Sequence, residues 1–430
     1  MTMAEKSSKR SDQKADAMKW ASALIGPKGA KKDANLSELL TQCSRDVKAQ
    51  LKGQRPDLVV VFVSPNFSED YHRVPLVLTD ELKPRHLIGC SASGLIGGGK
   101  EVESQPAVAL TAAVLPDVEI GTFHLVNADM PDLDDPPHKW EELVQIEATK
   151  TPHFILLPDP FSFRIDMLVQ GLDFAFPQAA KIGGMASGAS RATMNAFFLD
   201  DHVYRNGIVG ASLSGDVIVE TIVAQGCRPI GKPLRVTKCK KNFILELEGK
   251  PAVELLHDVI ERLTPTEHEL VKDSLFIGIA MDEFRDSHRA GDFLIRNIIG
   301  IEPNSGALVI SEILRGEQTI QFHVRDAATS ADDLRQLLKQ YREGHTGAVQ
   351  GALLFSCLGR GEHLYGMPNH DSDCFKEYLG AVPLGGFFCN GEIGPVGGTT
   401  FLHGYTSSFG IFRPKIEKQQ KSKTKSKSPA

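Results

Sequence analysis

Small polar residues follow an apolar run in the segment Leu87–Gly94, whose sequence is LIGCSASG. Cys90, Ser91 and Ser93 supply a thiol and two hydroxyls, and Gly94 lets a bound molecule approach the backbone. Loops of this kind after a strand bind carboxylate and phosphate groups through main-chain amides and short hydroxyls. We therefore expect this loop to contact a small ligand. A tight turn packed beneath a hairpin is the alternative interpretation.

A second loop of the same kind lies ninety-four positions later, at residues 181–188, with the sequence KIGGMASG. The same offset aligns residues 61–68 with residues 155–162 upstream. A match over two separated segments indicates two related modules. By this correspondence Ser187 and Gly188 are also predicted to contact the ligand.

A third polar loop lies near the carboxyl end of the chain, where Cys389, Asn390, Gly391 and Glu392 follow an apolar strand. Glu392 could hold an ammonium group and Asn390 a carboxylate, which together are the polar contacts that an amino acid requires. This loop is therefore also predicted to bind the ligand.

Two arginines are further candidates. Arg360 stands between two glycines, which leaves room for a bidentate contact with a carboxylate, although a solvated surface arginine has the same local sequence. Arg325 follows an apolar strand and precedes Asp326, so it could contact the ligand or form a structural ion pair.

Metal or haem binding requires other residues. The segment from Cys357 to Cys374 is rich in metal-ligating residue types, but their spacing matches no familiar zinc pattern, and no metal site is predicted. Haem would need one axial histidine, for which His323, His370 and His403 are candidates by proximity to the polar loops. No local haem signature marks them, so the cofactor stays open.

Catalysis by a cysteine is the remaining alternative, with Cys90 or Cys357 as the nucleophile. Such a reaction needs a base and an oxyanion hole, and the sequence reveals neither. It also has no GxSxG, Walker, HExxH or complete GxGxxG motif. We therefore predict a binding protein and not an enzyme.

Composition limits the class of protein. The 430 residues, 41% hydrophobic and 24% charged, are typical of a globular protein of two or three units. The net charge is −6, because the Lys-rich residues 415–430 contribute +5 and residues 1–414 contribute −11. Such an excess of acidic residues does not suit a nucleic-acid-binding protein. There is no apolar run long enough to cross a membrane, and seven scattered cysteines fit a reducing compartment, so a cytoplasmic protein without a membrane partner is expected.

The elements that position these loops are predicted from hydrophobic periodicity. Apolar runs such as residues 58–63 are too short for a helix and indicate buried strands, and amphipathic helices follow them. The fold class is α/β with mixed sheets, in two domains built from repeated modules of strand, loop, helix, strand and hairpin. Three hairpins are predicted to close the modules: residues 107–115 with 118–125, residues 196–200 with 207–213, and residues 401–412.

Three features together resemble the FIST family: the GCSASG loop, the segment GCRPIG with GKPAVELL at residues 226–256, and the closing motifs FSCLGRG and FFCNGEIGPVGG. The resemblance spans about residues 18–414. It implies a FIST N-terminal domain at residues 18–225, with an internal duplication at about 57–125 and 151–223, and a FIST C-terminal domain at residues 226–414. Residues 1–17 and 415–430 are predicted to be disordered.

The resemblance also implies a function. FIST proteins are proposed to sense small ligands such as amino acids in signal transduction, some bind haem and respond to nitric oxide, and many depend on a separately encoded partner. The expectation is therefore a sensory protein that binds a small polar ligand and acts through such a partner. A haem-based nitric oxide sensor and a cysteine-dependent enzyme are the alternatives.

Overall fold

The computed structural model describes residues 17–26, 35–283, 285, 287–288, 290–345 and 347–415. The two predicted disordered ends, apart from residues 17 and 415, lie outside the described residues. Within the described residues the chain forms three modules of one design and a separate barrel. The predicted mixed α/β class is confirmed.

Module 1 covers residues 19–114. Its elements are, in chain order, β1 (Lys19–Ile25), α1 (Leu36–Gln50), β2 (Leu58–Val63), α2 (Arg73–Leu82), β3 (His86–Ser91), β4 (Gly94–Gly97), β5 (Lys100–Glu103) and β6 (Val108–Val114). Helix α1 starts where Asn35 Oδ1 accepts a hydrogen bond from Glu38 N at 3.1 Å and the Glu38 carboxylate reaches back to Asn35 N, a capping box. All six residues of β2 are buried, as expected for an apolar strand covered on both faces.

Module 2 repeats this order over residues 118–215. Its elements are β7 (Val118–Leu125), α3 (Pro137–Val144), β8 (His153–Pro158), α4 (Ile165–Ala175), β9 (Lys181–Gly184), β10 (Phe197–Leu199), β11 (His202–Tyr204) and β12 (Ile208–Gly215). Module 3 begins with β13 (Ile218–Gln225) and is then interrupted.

The interruption is the barrel, residues 227–325. Its elements are β14 (Cys227–Lys240), β15 (Phe243–Leu247), β16 (Lys250–Pro251), α5 (Ala252–Glu261), α6 (Pro265–Ser274), β17 (Leu275–Ala280), β18 (Phe293–Ile301), β19 (Leu308–Ile310) and β20 (Thr319–Arg325). Its strands follow the order β14-β20-β17-β18-β19-β15-β16, and pairing of β14 with β15 closes the sheet on itself. Closure leaves few unpaired strand edges.

Module 3 resumes at residue 327. Its remaining elements are α7 (Ala327–Gly344), β21 (Gly351–Cys357), α8 (Glu362–Tyr365), α9 (His370–Leu379), β22 (Leu384–Cys389), β23 (Glu392–Val396), β24 (Thr399–His403) and β25 (Thr406–Arg413). The barrel is thus an insertion between the first strand and the first helix of module 3.

The three modules exchange hairpins in a ring. Each module forms a sheet around a parallel pair, β2 with β3, β8 with β9 and β21 with β22. The hairpin β10–β11 of module 2 extends the sheet of module 1, β23–β24 of module 3 extends that of module 2, and β4–β5 of module 1 extends that of module 3. Each sheet therefore depends on strands from a second module.

This exchange corrects the three predicted hairpins. Strand β6 pairs with β1 and β2 whereas β7 pairs with β12, so residues 107–115 and 118–125 lie in different sheets. In the second predicted hairpin, β10 pairs with β3 and β11, whereas β12 pairs with β7 and β8. In the third, β24 pairs with β23, whereas β25 pairs with β13 and β21. The predictions were wrong because each turn at these positions leads from one sheet to another.

The sheets share one central core. It contains Trp20 and Phe62 of module 1, Ile155 of module 2, and Phe387 and Phe412 of module 3, and the outer face of each sheet packs on its own helices in a separate cluster. The rings of Phe62 and Phe387 are 4.6 Å apart and those of Trp20 and Phe412 are 4.4 Å apart. Burial of these large apolar side chains joins the modules into one unit.

Candidate functional site

The carboxyl ends of the three parallel strand pairs meet at one end of the central core. Gly89, Gly183 and Gly386 occupy the same position in the second strand of each pair, and a Cβ there would lie 1.8–2.0 Å from a carbonyl oxygen of the neighbouring strand. The glycines therefore permit the close strand approach that brings the polar loops together.

The three polar loops are joined by hydrogen bonds. Ser187 Oγ accepts from Ser93 N at 3.1 Å and donates to Phe388 O at 2.5 Å, and Ser93 Oγ donates to Ser187 O. Asn390 Nδ2 donates to Ala186 O at 3.0 Å. The structure thus brings the predicted residues Ser93, Ser187 and Asn390 together, and these bonds hold the loops in a fixed arrangement.

A cleft of about 650 Å³ lies between the second and third polar loops and the barrel, and we call it the charged cleft. The barrel contributes residues 295–297, 311–312 and Arg325, module 3 contributes residues 357–359, 363, 389–390 and 402–405, and module 2 contributes Met185. The cleft therefore has one wall on the barrel and one on the modules.

Two guanidinium groups line the charged cleft. Arg325 is half-buried, donates from Nη1 to Gly359 O at 3.0 Å and lies 5.8 Å from the centre of the Tyr405 ring. Arg296 donates from Nε to Glu312 at 2.8 Å and from Nη2 to Leu402 O at 3.1 Å. These contacts fix both groups, and the cleft carries two positive charges against the one of Glu312.

A second cavity, of about 680 Å³, lies beside the cleft over module 2, and we call it the uncharged cavity. None of its described lining residues is charged; they are Ser93, Pro160, Phe161, Met185, Ser187, Gly188, Ala189, Ser190, Leu358 and Asn390. Three predicted residues, Ser93, Ser187 and Gly188, thus line this cavity, and Asn390 lines both.

Other predicted residues of the first loop lie beneath the surface. The Cys90 side chain is buried in the central core, where burial raises the pKa of its thiol well above the usual value. Ser91 is buried, with its hydroxyl bonded to Asn195 and to Ala196 N. Gly94 packs against the Phe388 ring, where a Cβ would lie 2.7 Å from the ring. None of the three is among the lining residues of either cavity.

Arg360 is also buried, with 1% of its surface exposed, and already holds a carboxylate of the chain itself. Its Nε donates to Asp371 Oδ2 at 3.0 Å and its Nη2 to Oδ1 at 3.3 Å. Burial alone would raise the pKa of Asp371, but the Arg360 guanidinium and the donors around it hold that pKa below the usual range. The side chain thus does not reach the charged cleft.

The predicted residues of the third loop divide in the same way. Glu392 is buried, with Oε2 accepting from Thr406 N at 3.1 Å and from its hydroxyl at 2.9 Å, and burial raises the pKa of this carboxyl to about 8. Cys389 lines the cleft while its side chain packs in the central core. At Gly391 a Cβ would lie 2.6 Å from Met185 Cε, so this glycine allows the loops to pack closely.

Cys357 lines the charged cleft as a protonated thiol. Burial raises its pKa to about 12, and its Sγ accepts a hydrogen bond from Gly359 N at 3.4 Å. A thiolate would be needed for nucleophilic attack, and the surroundings disfavour one. In the described part of the chain no histidine is hydrogen-bonded to Cys90 or Cys357.

Of the three histidines considered for haem, His323 and His403 are buried and do not fit an axial ligand. His323 is buried against Phe293 and is not a lining residue of the charged cleft, and burial lowers its pKa to about 4. His370 is bonded to Asp371 and stacked on Tyr365. His403 lines the cleft, but it is 3% exposed and its Nε2 is bonded to Gly394 O. A haem iron requires an accessible ring nitrogen.

Sequence reasoning did not identify several residues that line the two cavities. Arg296, Glu312 and Tyr405 lie on ordinary strands or turns, and Phe161 and Leu358 follow the first strand of a parallel pair. The repeat that marked the second-strand loops also extends to the first-strand loops, so Phe161 could have been identified from its alignment with Phe67. No sequence signal marked Arg296 or Glu312.

Comparison with known proteins gives two family matches. The FIST N domain model matches residues 57–250 and the FIST C domain model matches residues 252–395. The chain is 37% identical over 375 residues to an uncharacterized protein of Mycobacterium tuberculosis, covering 86% of this chain and 95% of the relative. It is 35% identical over 384 residues to an uncharacterized protein of Mycobacterium bovis, covering 87% and 95%. In the described residues, no helix has both the length and the hydropathy of a membrane span.

Proposed function

Since this chain belongs to the FIST family, we propose that it is a cytoplasmic sensory protein that binds a small acid, such as an amino acid, in the charged cleft. FIST domains are associated with signal transduction and small-ligand sensing. The observation that carries the proposal is the pair of guanidinium groups of Arg296 and Arg325 in one cleft between the barrel and the modules.

Arg325 is the proposed carboxylate contact. Its one hydrogen bond within the described part of the chain uses Nη1, which leaves Nε and Nη2 to donate to a ligand. A guanidinium binds a carboxylate through two parallel hydrogen bonds, and the Tyr405 ring supports the group from one side. Asn390, at the junction of the two cavities, offers a further amide.

Glu312 is the proposed contact for an ammonium group. It lines the same cleft as Arg325 and forms an ion pair with Arg296 at 2.8 Å. A carboxylate beside two guanidinium groups suits a ligand that carries both signs of charge, with the negative one dominant. Glu392, which the sequence suggested for this role, is buried and accepts from Thr406 instead.

The signal is proposed to arise at the boundary between barrel and modules. Three hydrogen bonds cross the cleft, from Arg325 to Gly359, from Arg296 to Leu402 and from Tyr405 Oη to Asn297 at 2.7 Å. A ligand carboxylate at Arg325 changes the balance of these contacts and shifts the barrel relative to the modules. A separately encoded partner reads this shift.

A thermal-shift screen against amino acids and small carboxylates tests the proposal. A ligand at about 100 times its dissociation constant stabilises the protein by about 2.7 kcal/mol, which gives a measurable rise in melting temperature. We expect Arg325→Met to lose this rise and Arg73→Met, an exposed arginine on α2, to keep it. Binding that survives in Arg325→Met would place the ligand elsewhere.

A further inference from the structure

The charged cleft and the uncharged cavity adjoin each other. Met185, Leu358 and Asn390 line both, so a molecule bound in one can extend into the other over these three side chains. The junction lies where the loops of modules 2 and 3 meet, next to the bond from Asn390 Nδ2 to Ala186 O. The floor under both cavities is thus continuous, and backbone hydrogen bonds from Met185 N to Gly391 O at 2.9 Å and from Asn390 N to Met185 O at 3.2 Å hold it.

The uncharged cavity offers few groups for hydrogen bonding. The hydroxyls of Ser93 and Ser187 are already bonded to Ser187 O and Phe388 O, respectively. Apolar surface remains accessible beside them, since Phe161 is 44% exposed and Leu358 is 38% exposed. Such walls favour an uncharged and largely apolar group over a polar one.

The volumes indicate a ligand larger than a small amino acid. Each cavity alone, at about 650 and 680 Å³, falls in the range of roughly 300–1,000 Å³ that is typical of drug-sized ligands. A head group bound at Arg325 would leave the uncharged cavity to water unless the ligand continued across Met185 and Leu358.

We propose that the ligand is an elongated amphipathic acid, with its carboxylate at Arg325 and an apolar body that crosses Met185 and Leu358 and ends against Phe161. This inference rests on the proposed function, because it takes the charged cleft as the site of the head group. It adds the chemical class of the ligand: an acid whose uncharged chain fills the second cavity.

The test is calorimetric titration of the full chain with a homologous series of straight-chain amino acids: alanine, norleucine, 2-aminooctanoate and 2-aminodecanoate. These probes share one head group and differ only in the length of the apolar chain. We expect affinity to rise about two- to fourfold for each methylene that the cavity takes up. If affinity did not depend on chain length while Arg325→Met still lost binding, this inference would be wrong and the proposed function would stand.

Two variants test where the apolar chain of the ligand lies. Phe161→Ser removes an apolar side chain of the uncharged cavity, and Phe174→Ser removes one that is 57% exposed on α4 and lines neither cavity. We expect Phe161→Ser to reduce the increase in affinity with ligand chain length while leaving the affinity for alanine unchanged. Phe174→Ser should change neither. If both variants reduced the dependence of affinity on chain length equally, the apolar chain of the ligand would not lie against Phe161.

The two proposals can fail separately. If long members bind with the same chain-length dependence in Arg325→Met, the head group is not in the charged cleft and the proposed function is wrong. If no member of the series binds, both proposals are contradicted.

Discussion

Glu101 on β5 of module 1 accepts two hydrogen bonds from Ser372 on α9 of module 3, from the backbone N at 2.8 Å and from the hydroxyl at 2.7 Å. Burial raises the pKa of Glu101, and the charge of Asp371 raises it further. Strands β4 and β5 belong to module 1 in sequence but to module 3 in space, so this contact anchors an exchanged hairpin to the helix it packs against.

Replacement of Glu101 by alanine should loosen this anchor. The change leaves a buried amide and a buried hydroxyl of Ser372 without their acceptor, which costs about 1–3 kcal/mol for each unsatisfied group. We expect Glu101→Ala to lower the free energy of unfolding by about 3 kcal/mol in urea denaturation. Glu101→Gln keeps an acceptor and should lose much less, and Lys100→Ala, exposed on the same strand, should be near neutral. Equal losses in the alanine and glutamine variants would contradict this account.

The pair formed by Arg360 and Asp371 predicts a larger effect. Removal of one partner leaves the other charge buried and unpaired, which costs about 3–5 kcal/mol. Arg360→Met should therefore reduce the free energy of unfolding by about this amount, and Arg360→Met combined with Asp371→Asn should recover part of it. Lys139→Met, which breaks an exposed ion pair with Glu142, should leave the free energy of unfolding nearly unchanged. A double variant no more stable than Arg360→Met would be inconsistent with charge burial as the cause.

Glu392 predicts a dependence of stability on pH. Its pKa is about 8 in the folded chain, raised by burial from 4.5. Between these values the unfolded chain releases a proton that the folded chain keeps. The contribution of Glu392 to stability is therefore greatest below about pH 5 and falls as pH rises through about 8.

Urea denaturation from pH 5 to pH 9 tests this dependence. The stability of the wild type relative to Glu392→Gln should fall by on the order of a few kcal/mol across this range, because glutamine does not titrate. Glu254→Gln, on the exposed surface of α5, is the control for the substitution itself. A constant difference for Glu392→Gln would show that this carboxyl is not perturbed.

Glu312 distinguishes recognition of an ammonium group from recognition of a carboxylate. A hydrogen bond to a charged group contributes about 1.5–3 kcal/mol, so Glu312→Gln should weaken norleucine binding about tenfold or more. Hexanoate, which has the same chain and no ammonium group, should bind unchanged or more tightly, since Arg296 loses a competing partner. Calorimetry with both ligands measures the difference. Equal weakening of both would mean that Glu312 acts only by positioning Arg296.

Local sequence was sufficient to predict most elements and the repetition between the modules. The apolar run of β2 is a local signal, because it reflects the burial of six consecutive residues. The polar loops at Ser93, Ser187 and Asn390 were found in the same way. Their position at the carboxyl ends of parallel strands follows from the strand-loop-helix-strand pattern.

The tertiary structure decided which strands pair and which polar side chains reach a cavity. Strand β6 pairs inside module 1 while the next strand, β7, joins another sheet, and these partners lie far apart in the chain, where a sequence pattern carries little information about pairing. The same long-range packing buries Cys90 and Arg360 and brings Arg325 of the inserted barrel against Tyr405 of module 3. The sequence alone therefore determined the modules and their loops, whereas the cleft exists only because hairpin exchange and the inserted barrel bring distant segments together.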